Sequence, residues 1–177
     1  MRDILITFAL IATTSTQAYS IEECDILASL EADPSSVSSP VAFNDIQPRA
    51  VIDACTRAIA ANDADQSRYL LLRARGYLKG GDGEKALLDL EHAHKLGYPA
   101  ATFGLATAYF LGDDVTQDFE LAKKLYFESY DLGVIWAAKG LFFLYSDLFS
   151  AVSLNKPIKR HALLNSFFLL LSPFCDC

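Results

Sequence analysis

Positive charge is scarce in this sequence. Its 177 residues include 15 Lys and Arg against 22 Asp and Glu, which gives a formal net charge of −7. Such a chain lacks the basic surface with which proteins bind phosphate backbones, so nucleic acid is not an expected partner. Hydrophobic residues make up 52% and charged residues 21%, a composition that excludes a disordered chain. We expect one packed domain with at most a small appendage.

Long hydrophobic runs are also absent. The apolar run near the N-terminus extends only from Ile4 to Ala12, whereas a membrane-spanning helix needs about 20 apolar residues. Arg2 precedes this run, and small polar residues follow it up to Ala18, as in a secretory signal peptide. We predict that residues 1–18 are cleaved near Ala18, so the mature chain is periplasmic or secreted and has no membrane span. The alternative is an amphipathic or buried first helix.

Cysteines are few, and export would place them in an oxidising compartment. Four cysteines allow three disulfide pairings, and the sequence alone does not choose among them. We favour a bridge between Cys24 and Cys55, because both lie on the apolar faces of predicted helices. The alternative is two buried free thiols. Cys175 and Cys177 are separated by one residue, a spacing that strains a ring, so we expect them to stay reduced or to pair between chains.

No segment alternates with period two for long enough to predict a strand, and apolar residues instead recur at helical spacing. The pattern predicts an all-α chain of antiparallel helix hairpins. The first helix is expected to be capped by Ser20, with Glu23 in a capping box, and residues 19–62 should form an N-terminal helical pair. The predicted helices run to residue 32 and then cover 48–61, 66–79, 84–96, 99–111, 119–132 and 135–149, with a connector at 33–47.

The sequence repeats itself at a spacing of 36 residues. Small and apolar residues at fixed places recur: Ala86, Leu90, Ala93 and Gly97 as Ala122, Tyr126, Ser129 and Gly133, and Leu105 and Tyr109 as Leu141 and Tyr145. A period of this length is typical of stacked helical hairpins. We therefore predict a solenoid over residues 66–147.

Residues 99–133 resemble a Sel1-like repeat, a relative of the tetratricopeptide repeat with a longer inter-helix loop. The match rests on Ala101, Leu105, Tyr109, Gly112, Val115, Asp118, Ala122, Tyr126 and Gly133. Ala106, Asp114 and Leu125 depart mildly from the family pattern. Residues 66–97 resemble a shorter, tetratricopeptide-like unit, and residues 135–147 begin a third repeat. The resemblance implies scaffold or adaptor work in a bacterial envelope.

Residues 148–177 do not continue the repeat pattern, although one helix is predicted there. Acidic residues almost vanish after Asp147, and the run FFLLL lacks a polar face. One hypothesis is a divergent or frame-shifted tail that covers the last hairpin as a capping helix, since a solenoid needs its open end covered. The other is a C-terminal helix that is buried in a partner or a dimer.

Motifs that carry chemistry are missing, including nucleophile elbows, P-loops, dinucleotide-binding glycine patterns and HExxH. His92 and His94 are two residues apart on a helix, roughly 200° around its axis, so they cannot share one metal. No second CxxC or histidine pair complements the cysteines. The sequence therefore predicts no catalytic residues, no cofactor and no metal.

Two charged groups remain to be explained. The acidic loop residues Asp113 and Asp114 do not have EF-hand spacing and are interpreted as a solvated turn, and Asp118 as a helix N-cap. A row of basic residues on one predicted helix would either clamp a carboxylate or form a charged outer face: Arg68, Arg73, Arg75 and Lys79.

The predicted function is non-catalytic binding of a protein or peptide. Candidate contact residues occupy first-helix positions away from the repeat's core positions: Phe103, Thr107, Trp136, Lys139 and Phe143. A competing interpretation is that their aromatic rings only pack against neighbouring hairpins. The alternative functions are a cell-wall-acting hydrolase, with Glu128 and Asp131 as acid and base, and a degenerate repeat paralogue without a ligand.

Overall fold

The computed structural model describes residues 22–61 and 64–154, and within these ranges all regular structure is helical. The α-helices are α1 (Glu23–Ala28), α2 (Pro48–Ala61), α3 (Gln66–Gly80), α4 (Gly83–Lys95), α5 (Pro99–Leu111), α6 (Phe119–Asp131) and α7 (Trp136–Leu154), and a short 3-10 helix spans Phe43–Asp45. The all-α prediction is confirmed for this part of the chain. The predicted signal peptide, residues 155–177 of the tail, Cys175 and Cys177 lie outside it.

The bounds of α2 and α5 agree with the prediction, whereas those of α1 do not. This helix begins after Glu22, whose backbone N–H donates to the Asp25 carboxylate, so the predicted cap at Ser20 is wrong. It ends at Ala28 and not at residue 32, because Ser29 adopts an extended backbone that starts the connector. The last described helix, α7, continues five residues beyond the predicted Phe149.

The α3–α4 hairpin is antiparallel and symmetrical about its turn. Arg73 and Asp89, eight residues before and after Gly81, form a salt bridge of 2.8 Å. Tyr77 and Lys85, four residues on either side, form a cation–π contact of 5.6 Å. Gly81 has φ 79°, a left-handed conformation that favours glycine.

The 36-residue period is present in the backbone hydrogen bonds. After α4, the N–H of Tyr98 donates to Ala93 at 3.0 Å, and after α6 the N–H of Val134 donates to Ser129 at 3.0 Å. The N-caps recur as well, because Asp82 accepts from the N–H of Lys85 and Asp118, as predicted, from that of Leu121. The same sequence signals thus build the same turns twice.

A disulfide joins the two N-terminal helices, α1 and α2, and a buried ion pair joins α1 to α3. Cys24 and Cys55 form a disulfide with Cα atoms 4.7 Å apart, which confirms the predicted pairing. Arg68 donates from Nε to Asp25 at 2.8 Å, with side chains 5% and 2% exposed. Arg68 and Arg75 are buried, so the interpretation of the α3 basic row as a charged outer face is wrong for both.

Candidate functional site

An apolar cavity of about 330 Å³ lies between α3, α4 and α5. Most of its wall consists of aliphatic and aromatic side chains, among them Leu71, Leu78, Leu87, Phe103, Leu111 and Val115. All of these residues except Val115, which lies in the loop between α5 and α6, come from helices. The volume lies at the lower end of the roughly 300–1,000 Å³ that is typical of ligand sites.

The connector after α1 closes one side of this cavity. Its residues Leu30 and Phe43 contribute to the wall. Arg75 on α3 holds the connector in place, since its Nη1 donates to the carbonyl oxygens of Ala28 at 2.5 Å and Ser29 at 2.6 Å. Its Nη2 donates to the carbonyl of Val41 at 2.8 Å.

Arg75 is a buried cation in the wall of the cavity. Arg75 is 8% exposed, and this burial lowers the pKa of its guanidinium to about 10. The guanidinium is therefore still protonated at neutral pH. Within residues 22–61 and 64–154 it forms no ion pair, and the three carbonyl dipoles offset the cost of burying its charge.

The rim of the cavity is acidic. Asp113 and Asp114 lie in the loop between α5 and α6 and are both exposed. The Asp114 carboxyl packs on Gly83, the first residue of α4, so closely that a Cβ at that position would lie 1.8 Å from its Cγ. A glycine is therefore required at position 83 for this loop to close over the hairpin.

Two of the five predicted contact residues line the cavity. Phe103 is 6% exposed, and its ring packs against Tyr126 with centroids 5.8 Å apart. The Thr107 hydroxyl donates to the Phe103 carbonyl at 3.0 Å and hydrogen-bonds with the Tyr126 hydroxyl at 3.1 Å. Burial raises the pKa of Tyr126, so this phenol stays protonated.

The other three predicted contact residues lie on α7, away from the cavity. The Lys139 ammonium lies 3.8 Å from the ring centroid of Trp136, a cation–π contact. Phe143 is half-buried and meets the ring of Phe142 edge-on at 5.7 Å. The structure thus divides the predicted set between a cavity wall and a separate face of α7.

The predicted acid and base of the alternative function are exposed on α6. Glu128 lies 3.9 Å from the Nδ1 of His94, and Asp131 is at the end of the helix. His94 also hydrogen-bonds with Thr102 at 2.8 Å. Among the described residues, no group of three or more His, Cys, Asp or Glu side chains is placed to hold a metal ion.

Sequence reasoning missed Arg75, Leu30 and Phe43 as parts of the site. The available signal was the position of Arg75 between Ala74 and Gly76, small residues that let neighbouring helices approach α3 closely. A helix that contacts α1, α2, α4 and α5 has little free perimeter, so its arginines are covered.

Comparison with known proteins gives no match to a family model, to a curated protein or to a solved structure. In the part of the chain that the structure describes, no helix is long and apolar enough to cross a membrane. The buried disulfide fits a protein that folds in an oxidising compartment.

Proposed function

We propose that this chain is an exported helical-repeat protein of the Sel1-like kind, which binds a peptide or protein segment in the bacterial cell envelope and catalyses no reaction. The observation that carries the proposal is the apolar cavity between α3 and α5, the first helices of two successive hairpins. The 36-residue recurrence of turns and caps supports the repeat architecture.

The partner would insert a bulky apolar side chain into the cavity. The wall offers almost only carbon atoms, so the driving force is the burial of apolar surface, about 25 cal/mol per Å². Phe103 and Thr107 form part of that wall, and Trp136, Lys139 and Phe143 would extend the contact along α7. The acidic rim at Asp113 and Asp114 favours a partner with a basic residue beside the apolar one.

The proposed mechanism of binding is a rigid cavity that is formed before the partner arrives. Packed hairpins hold the cavity open, the disulfide fixes the N-terminal helices, and Arg75 fixes the connector that closes one side. A site that is formed before binding avoids the ordering cost that a flexible loop would incur. The disulfide and the predicted signal peptide support an envelope or secreted location.

The test uses the full chain against a displayed library of peptides with randomised sequence. The selected peptide is then titrated by calorimetry against wild type and against Ala108→Phe, which fills the cavity from its wall. We expect saturable binding to wild type. In the variant the peptide's apolar side chain can no longer be buried in the cavity, so binding should weaken at least about tenfold, which corresponds to about 1.4 kcal/mol. The proposed contribution of α7 is measured with Trp136→Ala.

The matched control is Ala60→Phe, which makes the same substitution at an exposed position of α2 that does not line the cavity. It should bind like wild type. The proposal fails if no peptide is enriched, or if both phenylalanine variants bind equally well while their thermal midpoints are unchanged.

A further inference from the structure

The last described helix carries an apolar stripe that its neighbours leave uncovered. Ile135, Ala138, Phe142 and Tyr145 follow each other at helical spacing, and the three large side chains are 77%, 67% and 50% exposed. On the opposite side of α7, Ala137 and Leu144 are fully buried. The helix is therefore apolar on two sides but packed on only one.

The equivalent helix one repeat earlier is covered where α7 is not. Ala106 of α5 is 0% exposed, whereas Phe142, 36 residues later, is 67% exposed. Phe110 of α5 packs against Phe119 of α6 at 6.0 Å. In the described part of the chain, α7 has no helix that follows it as α6 follows α5, and a larger apolar residue stands at the exposed place.

The sequence that follows α7 has the pattern of such a helix. Asn155 and Pro157 are turn-forming residues, and three large apolar residues then recur at helical spacing: Leu163, Phe167 and Leu170. Ser172 and Pro173 supply a stop signal. This segment lies outside the described residues.

We propose that residues 158–172 form a helix that packs antiparallel on the C-terminal part of the α7 stripe, at Phe142 and Tyr145. The register follows from the hairpins already described, which are symmetrical about their turns: Tyr126 and Gly140, in close contact, lie seven residues before and after Gly133. A turn centred on Lys156 places Leu170 opposite Phe142 and Phe167 opposite Tyr145, because each pair is equidistant from Lys156.

Two further observations favour this occupant over a second copy of the chain. The segment is tethered directly to α7, and a short tether gives an effective concentration in the millimolar range. Lys156, Lys159 and Arg160 make the segment basic, whereas the whole chain has a net charge of −7. A second copy, which also has a net charge of −7, would instead be repelled by the first.

The register can be tested by cysteine cross-linking in the full chain. In a background with Cys175→Ser and Cys177→Ser, Phe142→Cys is combined with Leu170→Cys or, as the control, with Leu169→Cys. Neighbouring residues of a helix point about 100° apart. We therefore expect the Leu170 pair to form an intramolecular disulfide at least about tenfold faster, as measured by intact mass and non-reducing gel mobility. Equal rates, absence of a cross-link, or a covalent dimer would overturn the proposal, and the dimer would identify a second copy as the occupant.

If the cysteine pairs fold poorly, a second variant tests the proposed contact. Phe142→Asp in the full chain should lower the thermal midpoint by at least about 4 °C, because the charge enters a covered apolar contact. The control is Leu88→Asp on α4, where the leucine is 65% exposed and thus closely matches Phe142. The proposal fails if the two variants shift the midpoint equally.

Discussion

Replacing Gly140 by alanine tests how α6 and α7 pack. A Cβ at this position would lie 2.4 Å from Cε1 and 2.5 Å from Cζ of Tyr126. The ring cannot move aside easily, because Tyr126 is fully buried and its hydroxyl hydrogen-bonds with Thr107. Overpacking a core typically costs about 1–3 kcal/mol. Alanine regains about 1 kcal/mol of helix propensity, so we expect a net destabilisation of up to about 2 kcal/mol.

The matched variant is Gly104→Ala, at the equivalent position 36 residues earlier. Its Cβ would meet Leu90 Cδ2 at 2.8 Å, the far end of a flexible side chain that can rotate away. The propensity gain of about 1 kcal/mol then offsets a smaller steric cost, so this variant should unfold within about 0.5 kcal/mol of wild type or be more stable.

Both variants are measured by urea unfolding, followed by far-ultraviolet circular dichroism. A double-mutant cycle with Tyr126→Leu, which installs the residue found at position 90, should remove most of the cost of Gly140→Ala. If the two glycine variants unfold at the same urea concentration, or if Tyr126→Leu leaves the cost unchanged, the described contact between Tyr126 and Gly140 is wrong.

Three further changes probe the N-terminal region. The double variant Cys24→Ala/Cys55→Ala should lower the free energy of unfolding by about 3–4 kcal/mol, since the bridge closes a loop with a sequence separation of 31. Asp25→Ala should cost about 3 kcal/mol in chemical unfolding, because it leaves the Arg68 charge buried without this partner. For Asp33, burial raises the pKa above 3.8, so folding disfavours its charged form and stability falls as pH rises through that pKa. Asp33→Asn should therefore gain stability relative to wild type between acidic and neutral pH, in unfolding curves measured across that range.

Each of these three has a result that contradicts it. A reduced wild-type chain as stable as the oxidised one would show that the disulfide does not constrain unfolding. The control for Asp25→Ala is Glu23→Ala, whose partner Arg57 is 65% exposed, and equal costs for the two would refute the effect of burial. A pH-independent difference between Asp33→Asn and wild type would refute the raised pKa.

The sequence predicted the order of the helices, and it favoured, without deciding, the disulfide that the structure shows. Pro99 and Gly112 mark the two ends of α5, and both are local signals that tertiary packing does not override. The pairing of Cys24 with Cys55 followed from their places on apolar helix faces. The early end of α1 could not be predicted, because the connector that starts at Ser29 is stabilised by distant groups such as Arg75.

Only part of the candidate site could be predicted from the sequence, because the cavity wall also depends on segments that are distant along the chain. Periodicity gives the face of a helix on which a residue lies. Phe103 and Thr107, which it selected as partner contacts, lie in the cavity wall, and their contact with a partner stays a prediction. It does not reveal which faces a neighbouring segment covers. Lys139 and Phe143 occupy the equivalent positions on α7, 36 residues after Phe103 and Thr107, yet the structure separates them from the cavity because α3 and the connector close only the α5 side.

Arg75 shows why composition alone misleads about charge in such a fold. From the sequence, a basic row on a helix fits a solvated outer face as well as it fits a carboxylate clamp. Here the connector between α1 and α2 brings three carbonyl groups to one guanidinium, and their dipoles offset the desolvation that otherwise prohibits a buried cation. The same contact makes Leu30 and Phe43 part of the cavity wall. A substitution that detaches the connector would therefore change the cavity as well as the stability, so binding measured on Arg75 variants cannot by itself assign this residue a direct role in recognition.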